Sequence, residues 1–125
     1  MTKMYIAVLD EVEDAMTPTL VAHAVLGAHL QFIRGQTDIN KLTDEGPHKH
    51  PLYIDWLKNS FKKVVVRVNQ TEFDRISALP DVYLGHEATQ LDGRASCAVV
   101  CPRLDTPRVL QFARLWKPSN KEKHQ

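Results

Sequence analysis

An unbroken apolar run, Met4–Leu9, stands near the start of the chain. Such a run marks a strand covered on both faces. The acidic stretch Asp10–Met16 closes it as a loop. Thr17-Pro18 then opens a helix, with Thr17 as N-cap acceptor and Pro18 at the first helical position. From Leu20 to Arg34 the apolar residues fall almost all round the helix, the pattern of a largely buried one, and Gly35 is its expected stop. Residues 36–51 are polar and carry Gly46-Pro47 and His50-Pro51, so a loop is expected there. Leu52–Phe61 has the spacing of a short amphipathic helix.

The β-branched run Lys62–Asn69 predicts a second strand. Asn69 or Thr71 can cap the next helix, which carries Phe73, Ile76 and Leu79 and stops at Pro80. A third strand is expected over Asp81–Leu91, a hairpin turn at Asp92-Gly93, and a fourth strand over Ala95–Cys101, ended by Pro102. Thr106-Pro107 opens a last helix that reaches Trp116. Alternating strands and helices imply parallel pairing with right-handed crossovers, and the hairpin adds one antiparallel strand. The expected fold is α/β: three layers, with a four-stranded mixed sheet flanked by helices on both faces. One domain spans 1–118, and 119–125 form a polar tail.

Composition narrows the class. Apolar residues make up 43% and charged residues 25% of the 125, which is ordinary globular usage. No apolar run reaches the ~20 residues of a membrane span, so no membrane partner is expected and the cytoplasm is the default compartment. Net charge is +1, unevenly spread: residues 1–46 hold three basic and seven acidic residues, a balance of −4, and the remainder carries +5. That basic half could meet phosphate, although dedicated nucleic-acid binders are far more basic. Cys97 and Cys101 would lie roughly 13 Å apart on one face of a strand, beyond disulfide reach. They read as two buried thiols, with a redox pair as the alternative.

Four segments carry a resemblance. Ala22-His23-Ala24-Val25-Leu26-Gly27-Ala28 follows the opening strand and loop. Trp56 precedes the strand Lys63-Val64-Val65-Val66, and the helix Thr71–Leu79 follows at once. Thr89-Gln90-Leu91 precedes a turn and the valine-rich strand Ser96–Pro102. In this order, over roughly residues 4–102, the chain resembles the type 2 peptidyl-tRNA hydrolases, as a divergent member. The resemblance implies cleavage of the ester of peptidyl- or acyl-tRNA, with tRNA as partner. The alternative is a non-catalytic RNA- or protein-binding, regulatory protein that retains the fold. A small-molecule enzyme on the same scaffold is the third reading. A homodimer is compatible with all three.

The departures are specific. The family carries a lysine-rich loop before its first helix, whereas Glu11–Pro18 is acidic and has no lysine. An acid stands a few positions before the family's Thr-Gln pair, and Gly85-His86-Glu87 occupies that stretch here. A further helix, Pro107–Trp116, is expected beyond the family's closing strand.

Ester hydrolysis needs an activated water, a stabilised oxyanion and a held acceptor end. In open α/β sheets the ligand crevice lies at the carboxyl ends of the strands, and a helix N-terminus there favours anions. The catalytic candidates are therefore Asp10, Thr17, Thr89 and Gln90. Thr17 as a plain cap and Asp10 as a solvated acid are the competing readings. Thr89 and Gln90 alternate along their expected strand, so only one faces a given side. Substrate-binding candidates are Thr19, His23, His86, Glu87, Lys62 and Lys63. His23 could equally be a hydrogen-bonded core histidine, and the lysines solvated surface. His48-Lys49-His50 with His86-Glu87 could ligate zinc or copper, but proline flanks the His-x-His on both sides and no helical His-Glu-x-x-His is present, so neither metal nor cofactor is expected.

Overall fold

The computed structural model describes residues 2–33, 50–87 and 91–119. Within them are strands β1 (Lys3–Leu9), β2 (Lys62–Val68), β3 (Val82–His86), β4 (Ala95–Arg103) and β5 (Arg114–Leu115). The helices are α1 (Thr17–Phe32), α2 (Pro51–Lys58), α3 (Gln70–Ser77) and α4 (Arg108–Gln111). The strands make one open mixed sheet in the order β3-β4-β1-β2-β5. The chain is thus α/β, but with five strands where four were expected.

Only β1 and β2 pair in parallel. β4 inserts antiparallel between β1 and β3, and β5 runs antiparallel to β2. β1, β2 and β3 therefore point the same way, so their carboxyl ends share one end of the sheet. Residues 96–102 of β4 and 6–9 of β1 are buried at successive positions. Side chains alternate across a strand, so both faces of the sheet are covered at its centre.

The difference in strand number arises at the C-terminus. The expected helix to Trp116 ends at Gln111. Beyond Leu110 it has little to bury: Phe112 is 77% exposed. The chain instead satisfies its backbone on the open edge of β2, where Arg114 and Leu115 pair with Arg67 and Val66 and the Trp116 N–H bonds to the Val65 carbonyl at 2.9 Å. β3 ends at His86, not Leu91. The turn that follows has left-handed φ at Leu91, Asp92 and Gly93. Pro102 lies inside β4 rather than ending it. It sits where the register with β1 slips, since Tyr5 faces Val100 but Lys3 faces Arg103. Such an irregularity is where a strand tolerates a residue without an N–H.

α1 also differs from its pattern. It buries one stripe, Leu20, Ala24, Ala28 and Phe32, and exposes Leu26 and Leu30. Small residues select the stripe. A Cβ on Gly85 would come within 3.0 Å of the Ala24 Cβ, and one on Gly27 would overlap the Tyr83 hydroxyl. Helix and strand approach closely only because neither glycine carries one. Thr17 lies within α1 rather than capping it, and donates its hydroxyl to the Glu13 carbonyl at 3.1 Å. α3 begins as its sequence dictates: Asn69 accepts from the Glu72 N–H while Glu72 accepts from the Asn69 N–H, a reciprocal capping box. No helix among the described residues is long and apolar enough to cross a membrane.

Candidate active site

The loop after β1 is fastened on both sides. Its Asp10 N–H bonds to the Val68 carbonyl at 2.8 Å, and Val12 is buried. Glu11 pairs with Arg94 at 3.0 Å, and Asp14 with Arg67 at 3.0 Å. Arg94 also donates to the Leu91 carbonyl at 3.3 Å, which links the loop to the turn between β3 and β4. Arg67 donates to the Lys117 carbonyl at 2.6 Å and lies 5.1 Å from the Trp116 ring centroid. The Ser119 N–H donates to the other Asp14 oxygen. Two of the loop's acids are therefore neutralised within the chain, and β5 and the residues after it complete one of the clamps.

A cleft of about 360 Å³ opens between α1 and β3. Leu20, His23 and Ala24 form the helical wall. Tyr83, Gly85, His86 and Glu87 form the strand wall, and Ser96 of β4 joins them. The buried Ser96 hydroxyl donates to the Gly85 carbonyl at 3.5 Å. His86 Nδ1 lies 3.1 Å from the Gly93 carbonyl oxygen. A carbonyl can only accept, so Nδ1 carries the proton, and in the neutral ring Nε2 is the nitrogen with a lone pair. A ring held in one tautomer, in a cleft lined also by a carboxylate and a second imidazole, has the groups to move a proton.

The ten residues singled out from the sequence do not all meet here. His23, His86 and Glu87 line the cleft. His23 is exposed, contrary to the core-histidine reading, because it falls off the buried stripe of α1. Asp10 and Thr19 are exposed near the end of β1 and the start of α1. Thr17 is buried and its hydroxyl is already spent on the backbone. Lys62 and Lys63 begin β2, at the opposite end of the sheet from Asp10, about 20 Å away by strand rise. Thr89 and Gln90 lie outside the described residues, as do Gly35, His48 and Lys49. His50 is buried and faces Asp81, with Nδ1 3.7 Å from its carboxylate. Among the described residues, no three His, Cys, Asp or Glu side chains are grouped to hold a metal ion.

Sequence reasoning misses Tyr83, Ser96 and Arg94, and takes Arg67 only as part of a basic stripe with Lys62 and Lys63, not as the partner of Asp14. A period-2 pattern from Val82 does place Tyr83 and Gly85 on one face. Nothing local marks the two arginines, whose partners stand 53 and 83 residues away.

Cys97 and Cys101 are free and buried. Burial pushes the Cys97 thiol up to about 11, with a Ser96 hydrogen bond opposing the rise. Cys101 is pushed up to about 12 by burial and then by nearby Asp81. Neither has the lowered pKa of a nucleophilic thiol.

No protein-family model matches the chain, and no curated protein matches it.

Proposed function

We propose that the chain is a divergent hydrolase of the type 2 peptidyl-tRNA hydrolase kind, acting on the ester that joins an acyl group to the 3′ end of tRNA. The observation that carries this reading is His86, fixed through Nδ1 in a cleft it shares with Glu87 and His23. In the proposed reaction Nε2 takes a proton from water as the oxygen attacks the ester carbonyl. The ribose oxygen then leaves and takes up a proton. His23, on the helical wall of the same cleft, would donate to the developing oxyanion or to the leaving oxygen. The three-layer description belongs to the same reading, with α1 and α2 as one outer layer.

The loop's lack of lysine weighs less once its charges are paired, because Arg67 and Arg94 offset Asp14 and Glu11. A second reading, binding without catalysis, draws support from Thr17, whose hydroxyl is buried and committed.

The test is cleavage of an N-blocked aminoacyl-tRNA by wild type, His86→Gln and Thr89→Ala. Loss of a general base predicts a fall of about 100-fold or more for His86→Gln. Turnover unchanged in that variant would remove His86 from the mechanism. Salt-dependent tRNA binding by wild type with no cleavage would favour the second reading.

A further inference from the structure

The exposed side of α1 forms one wall of a second concavity. Ala22 and Leu26 stand four residues apart along it, and Leu26 is 61% exposed. α2 and the turn after it supply Trp56, Leu57 and Phe61, leaving a groove of about 300 Å³. Among its described lining residues, Lys63 is the one side chain that is always cationic at neutral pH, and none is a carboxylate. The Lys63 ammonium donates to the Phe61 carbonyl at 2.9 Å. It stands 3.3 Å from the Phe61 ring centroid and 5.2 Å from that of Trp56. None of the ion pairs among the described residues includes it. On the far wall His29 Nδ1 and the Tyr53 hydroxyl are 2.7 Å apart.

Phe61 adds an independent sign. Its φ is +54°, in the left-handed region that glycine enters freely and an aromatic residue rarely adopts. That strained backbone holds a half-exposed ring over the ammonium. Strain of this kind collects at ligand clamps. A cation in an apolar cleft, with no carboxylate paired to it among the described residues, is complementary to an anion with an apolar body. The volume is at the lower end of the range of small-molecule sites, too small for a folded partner to enter.

We propose that this groove binds a small aromatic carboxylate, with its ring between Leu26, Leu57 and Phe61 and its carboxylate on the Lys63 ammonium. The site lies at the other end of the sheet from His86 and is independent of the hydrolase reading. Desolvation at the groove also lowers the Lys63 pKa below its ordinary value, an effect that a bound carboxylate would reverse.

The probe is 2-naphthoate, titrated into the full chain by calorimetry and by the Trp56 indole N–H resonance, with the neutral 2-naphthamide beside it. Saturable one-to-one binding is expected, with the acid about fivefold tighter than the amide, the scale of a partly exposed ion pair. Lys63→Gln should erase that preference while leaving the amide bound. Phe61→Gly should weaken both by about tenfold, the scale of a lost aromatic contact, with the melting temperature unchanged or raised because glycine relieves the φ. Leu26→Glu, at an exposed position that tolerates charge, should reject the acid selectively. Equal binding of acid and amide by wild type, a preference that survives Lys63→Gln, or no saturable binding would overturn the proposal. Hydrolase activity stays as in wild type in Phe61→Gly and Leu26→Glu, so the fate of this site is read separately from that of the His86 cleft.

Discussion

Two ion pairs hold the loop after β1, and on paper they are the same interaction. Each joins an arginine to a carboxylate at 3.0 Å. Their surroundings differ. The Arg67 and Asp14 side chains are 18% and 8% exposed, and those of Arg94 and Glu11 are 51% and 46% exposed. Arg67 has a second acceptor in the Lys117 carbonyl and an aromatic neighbour in Trp116, and Asp14 accepts from the Ser119 N–H as well. Arg94 has longer bonds, at 3.3 and 3.4 Å, to its remaining acceptors. Distance alone would rank the pairs as equal. Burial and the completeness of the surrounding hydrogen bonds separate a structural clamp from a surface link.

The largest effect should come from breaking the buried pair. Arg67→Met takes the guanidinium from beside the largely buried Asp14 carboxylate, which costs about 3 kcal/mol or more. Asp14→Asn should cost less, because Arg67 keeps the Lys117 carbonyl. The double variant should be less destabilised than the sum of the two, since one charge no longer strands the other. Chemical denaturation measures all three. A loss below about 1 kcal/mol for Arg67→Met would place this pair with ordinary surface bridges and dissolve the distinction. The same variant should make the stretch after β5 more open to proteolysis, because it removes the bond from Arg67 to the Lys117 carbonyl.

Neither pair was legible in the sequence, and the reason is general. Local signals were read well: the cap of α3 follows from Asn69 with Glu72 three residues on, and the first two strands follow from apolar and β-branched runs. Long-range partners carry no such mark, since pairing across 53 or 83 residues depends on how the sheet closes. β5 was missed for the same cause. Two residues offer no period, and only the open edge of β2 makes them a strand. α1 failed differently. Its apolar residues surround it, so the pattern has no preferred face, and the choice falls to the sizes of Ala24, Gly27 and Ala28 against the sheet. The cleft was half visible, because His86 and Glu87 are adjacent in the chain. His23 joined them only when α1 turned its other stripe inward.

Alkaline pH sharpens the comparison from another side. Arginine keeps its charge well above pH 10, so neither pair should weaken there. The buried thiols should. Their folded values, about 11 for Cys97 and about 12 for Cys101, lie above the unfolded value of 9.0. The unfolded chain therefore releases protons first as the pH rises through 9. Stability is full below that point and falls above it, by about 1 kcal/mol per thiol between pH 9 and 10, until the folded values are reached. Cys97→Ala should flatten the slope of stability against pH. Arg67→Met should lower the whole curve without changing that slope. If instead the slope between pH 9 and 10 vanished in Arg67→Met, the alkaline transition would belong to the clamp and not to the sulfurs.

The smallest effect on stability belongs to Glu11 and Arg94, and it is the more informative about function. Exposed and partly screened, the pair should show a coupling energy below about 1 kcal/mol in a double-mutant cycle, shrinking further as salt is raised. Yet it is the link between the loop after β1 and the turn that leads from His86 through Leu91 into β4. If that turn positions the wall of the cleft, Glu11→Gln and Arg94→Gln should change kcat/KM for acyl-tRNA several-fold while the denaturation midpoint barely moves. Arg94→Gln removes a cation, so weaker tRNA binding alone could mimic the result. Glu11→Gln removes an anion and would strengthen phosphate binding, so a loss of kcat in that variant can come only from the released turn. Equal and opposite changes in KM, with kcat constant in both, would instead reduce the pair to two charges near a phosphate path.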